Sequence, residues 1–253
     1  MQKFYDKPDI YDLNESEEYL EVMKKHWERV LRNKKITSLL DVSIGTGGVT
    51  LPLAELGIRL YGSDLSDKML AKCRTKALTR KTEIELQLSD FREITQTYSG
   101  RHFDCVASTG NSLPYVTNAD IIKTLEQMDY LVQSGGYLYI DTRNWDKILQ
   151  ERPRFYLYNP MFDCDTRINM LQVWDYNNDG TMTFNILYTF EKDGKIFRKE
   201  QFEEHYFPVR QKLFIDTFSR LGYENIEVLP FPAILKSKDP ADYDWYSIIA
   251  QKK

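Results

Sequence analysis

The sequence predicts an α/β fold: a doubly wound, mostly parallel sheet of seven strands, interrupted by an antiparallel β insertion. Three observations predict it. The stretch LLDVSIGTGGV (residues 39–49) runs apolar, passes through an acidic residue and turns at glycines, as a buried parallel strand does when it feeds a helix. Short apolar runs then alternate with helical patterns to about residue 143, the rhythm of βαβ units with right-handed crossovers. From about residue 144 to 208 the composition turns aromatic and β-branched, with hairpin signals at Asn177-Asn178-Asp179-Gly180 and Lys192-Asp193-Gly194.

The first dozen residues mix aromatics with charges and show no period. From about Ser16 to Leu31 the period is helical, with Tyr19, Met23, Trp27 and Val30 on one face and an Asn14/Glu17 capping box expected at the start. The strand ending at Asp41 follows, then the glycine turn and a helix over Val49 to Leu56. Ile58 to Ser63 reads as a second strand ending at Asp64, and Ser66 as the N-cap of a helix with Met69, Cys73 and Ala77 on one side. Ile84 to Leu88 and Phe103 to Ser108 read as strands three and four. A helix bearing Ile121, Leu125, Met128 and Val132 is stopped by Ser134-Gly135-Gly136, and Tyr137 to Ile140 is strand five. The insertion should hold about three strands. After it come a helix from Gln211 to Leu221 with Gly222 at C′, and strands near Asn225–Leu229 and Tyr243–Ala250. No helix separates those two, so they should pair antiparallel. The domain organisation expected is a core of residues 1–143 and 209–253, with 144–208 as a cap over the substrate.

Composition narrows the function. The chain has 253 residues, 42% of them hydrophobic, enough for a sizeable core, and its net charge of −4 gives no signature of nucleic-acid binding. Cys73, Cys105 and Cys164 are far apart and odd in number, so neither a metal site nor a disulfide framework is expected, and a reducing compartment is. The polar, acidic start MQKFYDKPDIYDLNESEE carries no visible signal peptide, and no apolar run reaches membrane-spanning length. The expectation is a cytoplasmic protein with a small-molecule partner.

In an open α/β sheet the ligand sits at the carboxyl ends of the strands. Asp41, Asp64, Asp90, Asn111 and Asp141 all fall there. Asp64, 19 residues after Gly45, stands where a carboxylate can accept both hydroxyls of a ribose. Three features favour S-adenosylmethionine over NAD. Thr50 stands at the third glycine position of the dinucleotide pattern. Asp41, just before the turn, would attract an ammonium and repel a pyrophosphate. The sheet closes with a helix-free hairpin instead of a further βαβ unit.

With LLDVSIGTGG, YGSDLSDKML, LSDF and QSGGYLYID in this order, the sequence resembles the class I S-adenosylmethionine-dependent methyltransferases, whose sheet is Rossmann-like. TGNSLPY, YIDTRNWDKIL, an aromatic insertion ending EEHYFPVR and a terminal DPADYDWYSIIAQK are similar to the glycine and sarcosine N-methyltransferases. That resemblance implies roles by position. Gly45, Gly47 and the backbone near Ser43 would hold the methionine portion of the cofactor, with Asp41 beside it. Asp64 would take the ribose, and Asp90 and Phe91 the adenine. Thr109 would line the cofactor's centre near Asn111, and Tyr19 and Trp27 would close over it. Arg143 matches the arginine that binds the acceptor's carboxylate. Tyr188 and Tyr206 match tyrosines lining the acceptor pocket, as does either Tyr156 or Tyr158. Tyr115 stands where the family often carries His, and Ser43-Ile44 replace a small or apolar pair. Either Arg29 or Arg32 could meet the cofactor carboxylate.

The reaction implied is direct in-line transfer of an activated methyl to a neutral amine, with alignment supplying roughly 7–11 kcal/mol of barrier reduction and no acid–base residue required. His26, His102 and His205 form no recognisable catalytic pairing. Three function classes follow: an amino-acid N-methyltransferase, a methyltransferase for an amino sugar or a larger carboxylate metabolite, and a non-catalytic cofactor-binding protein.

Overall fold

A computed structural model describes residues 3–234, 239 and 242–253; Pro240 and Ala241 of the terminal motif lie outside the described residues. The described residues form two sheets. The seven-stranded sheet contains β1 (Ser38–Asp41), β2 (Arg59–Asp64), β3 (Ile84–Leu88), β4 (Phe103–Ser108), β5 (Val132–Arg143), β11 (Tyr223–Pro230) and β12 (Trp245–Lys252). Its order is β11-β12-β5-β4-β1-β2-β3. The first five strands are parallel, and β12 enters between β11 and β5, antiparallel to both. The final pair is thus a hairpin with one strand inside the sheet, and the strand order reverses between β1 and β4.

The helices are α1 (Pro8–Tyr11), α2 (Glu17–Val30), α3 (Asp67–Thr79), α4 (Ile94–Thr97), α5 (Asn118–Leu131), α6 (Trp145–Glu151) and α7 (Gln211–Arg220). Apolar spacing explains the long ones. Met23, Trp27 and Val30 of α2, Met69, Cys73 and Ala77 of α3, and Ile121, Leu125 and Met128 of α5 are buried against the sheet. The helix α3 starts at Ser66 as expected, the serine Oγ accepting from Met69 N at 3.3 Å.

Three local expectations are corrected. The cap of α2 is Ser16, whose Oγ accepts from Tyr19 N at 3.1 Å; Asn14 instead turns its amide to the Met170 sulfur. The stretch after the glycine turn is a 3-10 helix over Leu51–Leu56, because Gly47 O takes the N–H of both Thr50 and Leu51, and Pro52 has no N–H to continue an α-helix. No full α-helix therefore aims its dipole at the turn. Strand five begins at Val132, and residues 133–136 form a bulge inside it, not a helix stop. Gly136 is needed there: a Cβ would stand 2.9 Å from the carbonyl oxygens of Asp104 and Gln133.

The insertion holds more than three strands. It begins with α6 and forms a five-stranded antiparallel sheet of β6 (Phe155–Leu157), β7 (Met161–Asp163), β8 (Thr166–Tyr176), β9 (Met182–Lys192) and β10 (Lys195–Tyr206). The three long strands are those the sequence marks; the short β6 and β7 pair with β8 and carry too few residues to show a period. Alternate residues of β8 and β9 are buried: Ile168, Met170, Gln172 and Trp174 on one, Met182, Phe184, Ile186, Tyr188 and Phe190 on the other. This face packs into the same apolar cluster as β4, β5 and α5. The aperiodic amino-terminal residues fold as short turns beneath it, and the Phe4 ring lies 5.0 Å from that of Phe202 and 6.2 Å from that of Tyr188.

Candidate active site

A cavity of about 250 Å³ opens at the carboxyl ends of β1, β4 and β5, under the insertion sheet. One wall is the turn after β1. Gly45 has φ +56°, and a Cβ on Gly48 would collide with the carboxylate of Glu15, so the backbone itself faces the cavity. Ser43 Oγ accepts from Thr109 N at 3.1 Å and lies 2.9 Å from Ser108 Oγ, joining the β1 and β4 loops.

Beneath this turn lie two buried carboxylates. Asp41 accepts from Ser43 N, Thr109 Oγ1 and Thr50 Oγ1. Burial nonetheless pushes its pKa up to about 6, those hydrogen bonds opposing the rise. Asp141 accepts from Gly110 N at 2.9 Å, and burial carries it up to about 8. Asp64 accepts from Gly45 N at 2.9 Å with one oxygen and from Ser66 N at 2.8 Å with the other. Each oxygen keeps a lone pair, and burial raises its pKa.

The amino-terminal segment supplies the opposite wall with Tyr5, Tyr11, Asp12, Glu15 and Tyr19. It is tied to α3 by a ladder: Lys68 to Asp6 at 2.9 Å, Lys72 to Asp9 at 2.6 Å, and Lys76 to Glu15 at 2.5 Å and Asp12 at 3.3 Å. Asp12 also accepts from Thr46 Oγ1 at 2.5 Å. Around the glycine turn the fixed charge is therefore mostly negative, which suits a cationic ligand and opposes a pyrophosphate.

The far end is different in kind. Arg143 is buried, and its Nη2 donates to Tyr158 Oη at 3.3 Å. The guanidinium carbon lies 4.9 Å from the ring centre of Trp245, 5.3 Å from that of Trp174 and 5.5 Å from that of Phe184. No carboxylate pairs with it among the described residues. Asn111, with φ +59°, accepts at Oδ1 from Arg143 N at 3.0 Å, Thr142 Oγ1 at 2.7 Å and Trp145 Nε1 at 3.2 Å, which directs its Nδ2 toward the cavity. Tyr206 and Tyr115 meet hydroxyl to hydroxyl at 2.6 Å.

Of the residues named from sequence, Tyr19, Ser43, Gly45, Thr109, Asn111, Arg143, Tyr188 and Tyr206 line this one cavity, and Tyr158 rather than Tyr156 does so. Others stand behind it. Trp27 is wholly buried, its Nε1 donating to Val49 O at 2.7 Å, so it braces the turn from the rear. Gly47 packs inward, where a Cβ would stand 2.8 Å from Cys73 Sγ. Asp41 sits below the lining, and Asp64 adjoins it through Gly45. Asp90 is gripped by Arg92, whose Nε lies 3.0 Å from both carboxylate oxygens, and Phe91 packs against the core. Arg29 and Arg32 line a separate groove beside Tyr137 and Glu227.

Sequence reasoning missed Tyr5, Tyr11, Asp12, Glu15 and Gln172. The available signal was the match between Asp6, Asp9 and Asp12 at every third residue and Lys68, Lys72 and Lys76 at every fourth.

S-adenosylmethionine fits this site: a turn without side chains for its methionine end, a carboxylate with free lone pairs at the end of β2, and buried acids near its cationic groups. Comparison with known proteins agrees. A family model described as a methyltransferase domain matches residues 39–136. A glycine/sarcosine N-methyltransferase of Aphanothece halophytica is 28% identical over 94% of this chain and 82% of its own length. A solved S-adenosylmethionine-dependent methyltransferase from Clostridium acetobutylicum superposes with a TM-score of 0.74 at 16% identity, covering 92% of each chain. An amino pentose methyltransferase from Micromonospora echinaspora gives 0.74 at 14% identity, over 100% of this chain and 98% of that one.

Proposed function

This chain belongs to the class I S-adenosylmethionine-dependent methyltransferases, and from that premise we propose that it methylates the amine of a small amino acid of the glycine or sarcosine type. The observation that carries this reading is Arg143, a buried guanidinium in an aromatic box with no carboxylate partner among the described residues. A buried charge is costly unless paired, so such a site gains by admitting an anion. The relative from Aphanothece halophytica supports an amino-acid acceptor.

The cofactor supplies an already activated methyl on its sulfonium. The protein's part is alignment and exclusion of water, and its residues divide accordingly. Ser43, Gly45 and Gly47 shape the turn for the methionine portion, with Asp41 below it. Asp64 takes the ribose, and Asp90 and Phe91 take the adenine once Arg92 yields. Tyr19 covers the cofactor, while Thr109 lines its centre and Trp27 fixes the turn. Arg143 holds the acceptor carboxylate, Asn111 offers its amide between the two ligands, and Tyr188 and Tyr206 wall the acceptor pocket. Residues 144–208 act as the substrate cap on a core of 1–143 and 209–253. A small-molecule partner and a reducing, cytoplasmic setting suit the three free cysteines.

One feature favours a second reading. Tyr115, Tyr158, Tyr188, Tyr206 and Trp245 all line the cavity, and aromatic faces also suit the C–H faces of an amino sugar. One screen separates the two: incubate with S-adenosylmethionine and a panel of amino acids, amino sugars and carboxylate-free amines, then follow S-adenosylhomocysteine by mass. Product with glycine or sarcosine supports the first reading; product with amino sugars alone supports the second.

A further inference from the structure

The cavity's β8 wall carries Gln172, which is 4% exposed and whose role no sequence pattern marks. Its Oε1 accepts from Trp174 Nε1 at 2.9 Å. An indole N–H only donates, so this bond fixes which end of the amide is which. The oxygen is turned to Trp174, and the two N–H donors of Nε2 are left for the cavity, with no partner among the described residues.

Trp174 itself cannot turn away. Its ring is stacked between Phe184, 4.3 Å distant at 9°, and Tyr156, 5.4 Å distant at 9°. In the strand register Gln172 faces Tyr156 on one side and Ile186 on the other. The Tyr156 and Trp174 rings both stand within 6 Å of the Arg143 guanidinium carbon, at 5.8 and 5.3 Å. Gln172 thus presents its donors on the wall where the buried cation lies, its oxygen being held toward Trp174.

The geometry points to Gln172 as a determinant of acceptor specificity: its amide donates to the acceptor's carboxylate beside the Arg143 fork, with Trp174 as the positioning residue that sets the amide's orientation. This rests on the carboxylate reading of Arg143 given above. Two donors from an amide and a fork from a guanidinium select a planar anion; an uncharged group in the same place would leave buried donors unsatisfied. A hydroxyl-bearing or carboxylate-free amine is discriminated against by the same wall.

The test uses acetate, a carboxylate with no amine, titrated calorimetrically into protein saturated with S-adenosylhomocysteine. Gln172→Glu keeps the side-chain shape and the Trp174 hydrogen bond but replaces the donors by a negative charge. It is expected to weaken acetate binding by about tenfold or more, with S-adenosylhomocysteine affinity unchanged. Trp174→Phe keeps the stack and loses only the N–H that orients the amide. It is expected to weaken acetate severalfold, and to have no further effect when added to Gln172→Glu. In turnover of an amino-acid acceptor, these changes should raise KM with kcat nearly constant. If Arg143→Lys weakens acetate while Gln172→Glu does not, the role of Gln172 is overturned and the carboxylate reading stands. If the wild type binds no acetate, both fall.

Discussion

The Nε2 of His26 lies 2.9 Å from the hydroxyl of Tyr139, linking a residue of α2 to the centre of β5. The other ring nitrogen, Nδ1, accepts from Ala233 N at 2.9 Å. His26 is therefore neutral with its proton on Nε2, and donates to Tyr139, whose hydroxyl stands 3.4 Å from Asp141 Oδ2. Asp141 holds Gly110 N in turn. The chain runs from the protein's rear to the loop that carries Asn111, and its two titratable ends are shifted in opposite senses.

Stability should record both ends. Burial depresses His26 to about 3, below its ordinary 6.5. The unfolded chain then binds the extra proton, so this contribution is complete above about pH 6.5 and is lost as pH falls toward 3. At pH 5 the loss is about 2 kcal/mol. Asp141 is raised from 3.8 to about 8, so its contribution is present in acid and is lost as pH rises through that window. Denaturant unfolding of His26→Gln should show less acid destabilisation than the wild type between pH 7.5 and 5. Asp141→Asn should gain on the wild type between pH 5 and 8.5. Curves parallel to the wild type's would remove these groups from the pH dependence.

Asp64 is the second case. Both of its oxygens already accept one backbone N–H, so the carboxylate is held in place before the cofactor arrives. Asp64→Ala removes the acceptor for two ribose hydroxyls, at roughly 1.5–3 kcal/mol for hydrogen bonds to a charged group. Affinity for S-adenosylmethionine should fall by about one to two orders of magnitude in calorimetry. A variant that binds as the wild type does would take Asp64 out of the site.

The ladder between α3 and the amino-terminal segment predicts graded release of that segment. Lys68 is 59% exposed, and its pair with Asp6 is worth little in water; Lys76 is 15% exposed and meets both Glu15 and Asp12. Chymotrypsin cleavage after Tyr11 should quicken in Lys76→Met by about tenfold, the equivalent of about 1.4 kcal/mol, and hardly change in Lys68→Met. Added salt should quicken cleavage of the wild type. Equal rates in all three proteins would show that the aromatic contacts of Phe4 and Tyr11 hold the segment alone.

How much of this was legible depends on where each residue's partners lie. β1 to β5 are apolar runs ended by polar residues, so the sheet and the rim positions Asp41, Asp64, Asn111 and Asp141 follow from local pattern. The six-residue 3-10 helix does not, because Pro52 and the double acceptance at Gly47 override a helical pattern. Trp27 shares a helical face with Tyr19, yet only Tyr19 reaches the cavity; a periodicity cannot tell which end of a stripe is covered. Gln172 looks like any polar residue in an alternating strand, and its meaning comes from Trp174 and from Arg143 on another sheet. The ladder joins segments some 60 residues apart: its matched spacings stand in the sequence, but no local pattern says that α3 and the amino terminus are adjacent.

Arg143 bears most directly on the acceptor. It ends β5, its backbone N–H is held by Asn111, and its side chain crosses into the aromatic box of the insertion. A guanidinium meets a carboxylate with two parallel hydrogen bonds; lysine keeps the charge and loses the fork. Arg143→Lys should therefore raise KM for an amino-acid acceptor strongly, and Arg143→Ala should nearly abolish turnover. Both should bind S-adenosylmethionine almost as the wild type does, because the turn after β1 and the carboxylate at the end of β2 are untouched. An acceptor without a carboxylate should be poor for the wild type and indifferent to either change. Far-ultraviolet circular dichroism and cofactor calorimetry on the same samples separate the outcomes. If both variants unfold or lose the cofactor, the guanidinium is a strut between the two sheets, and the case for an amino-acid acceptor loses its main support.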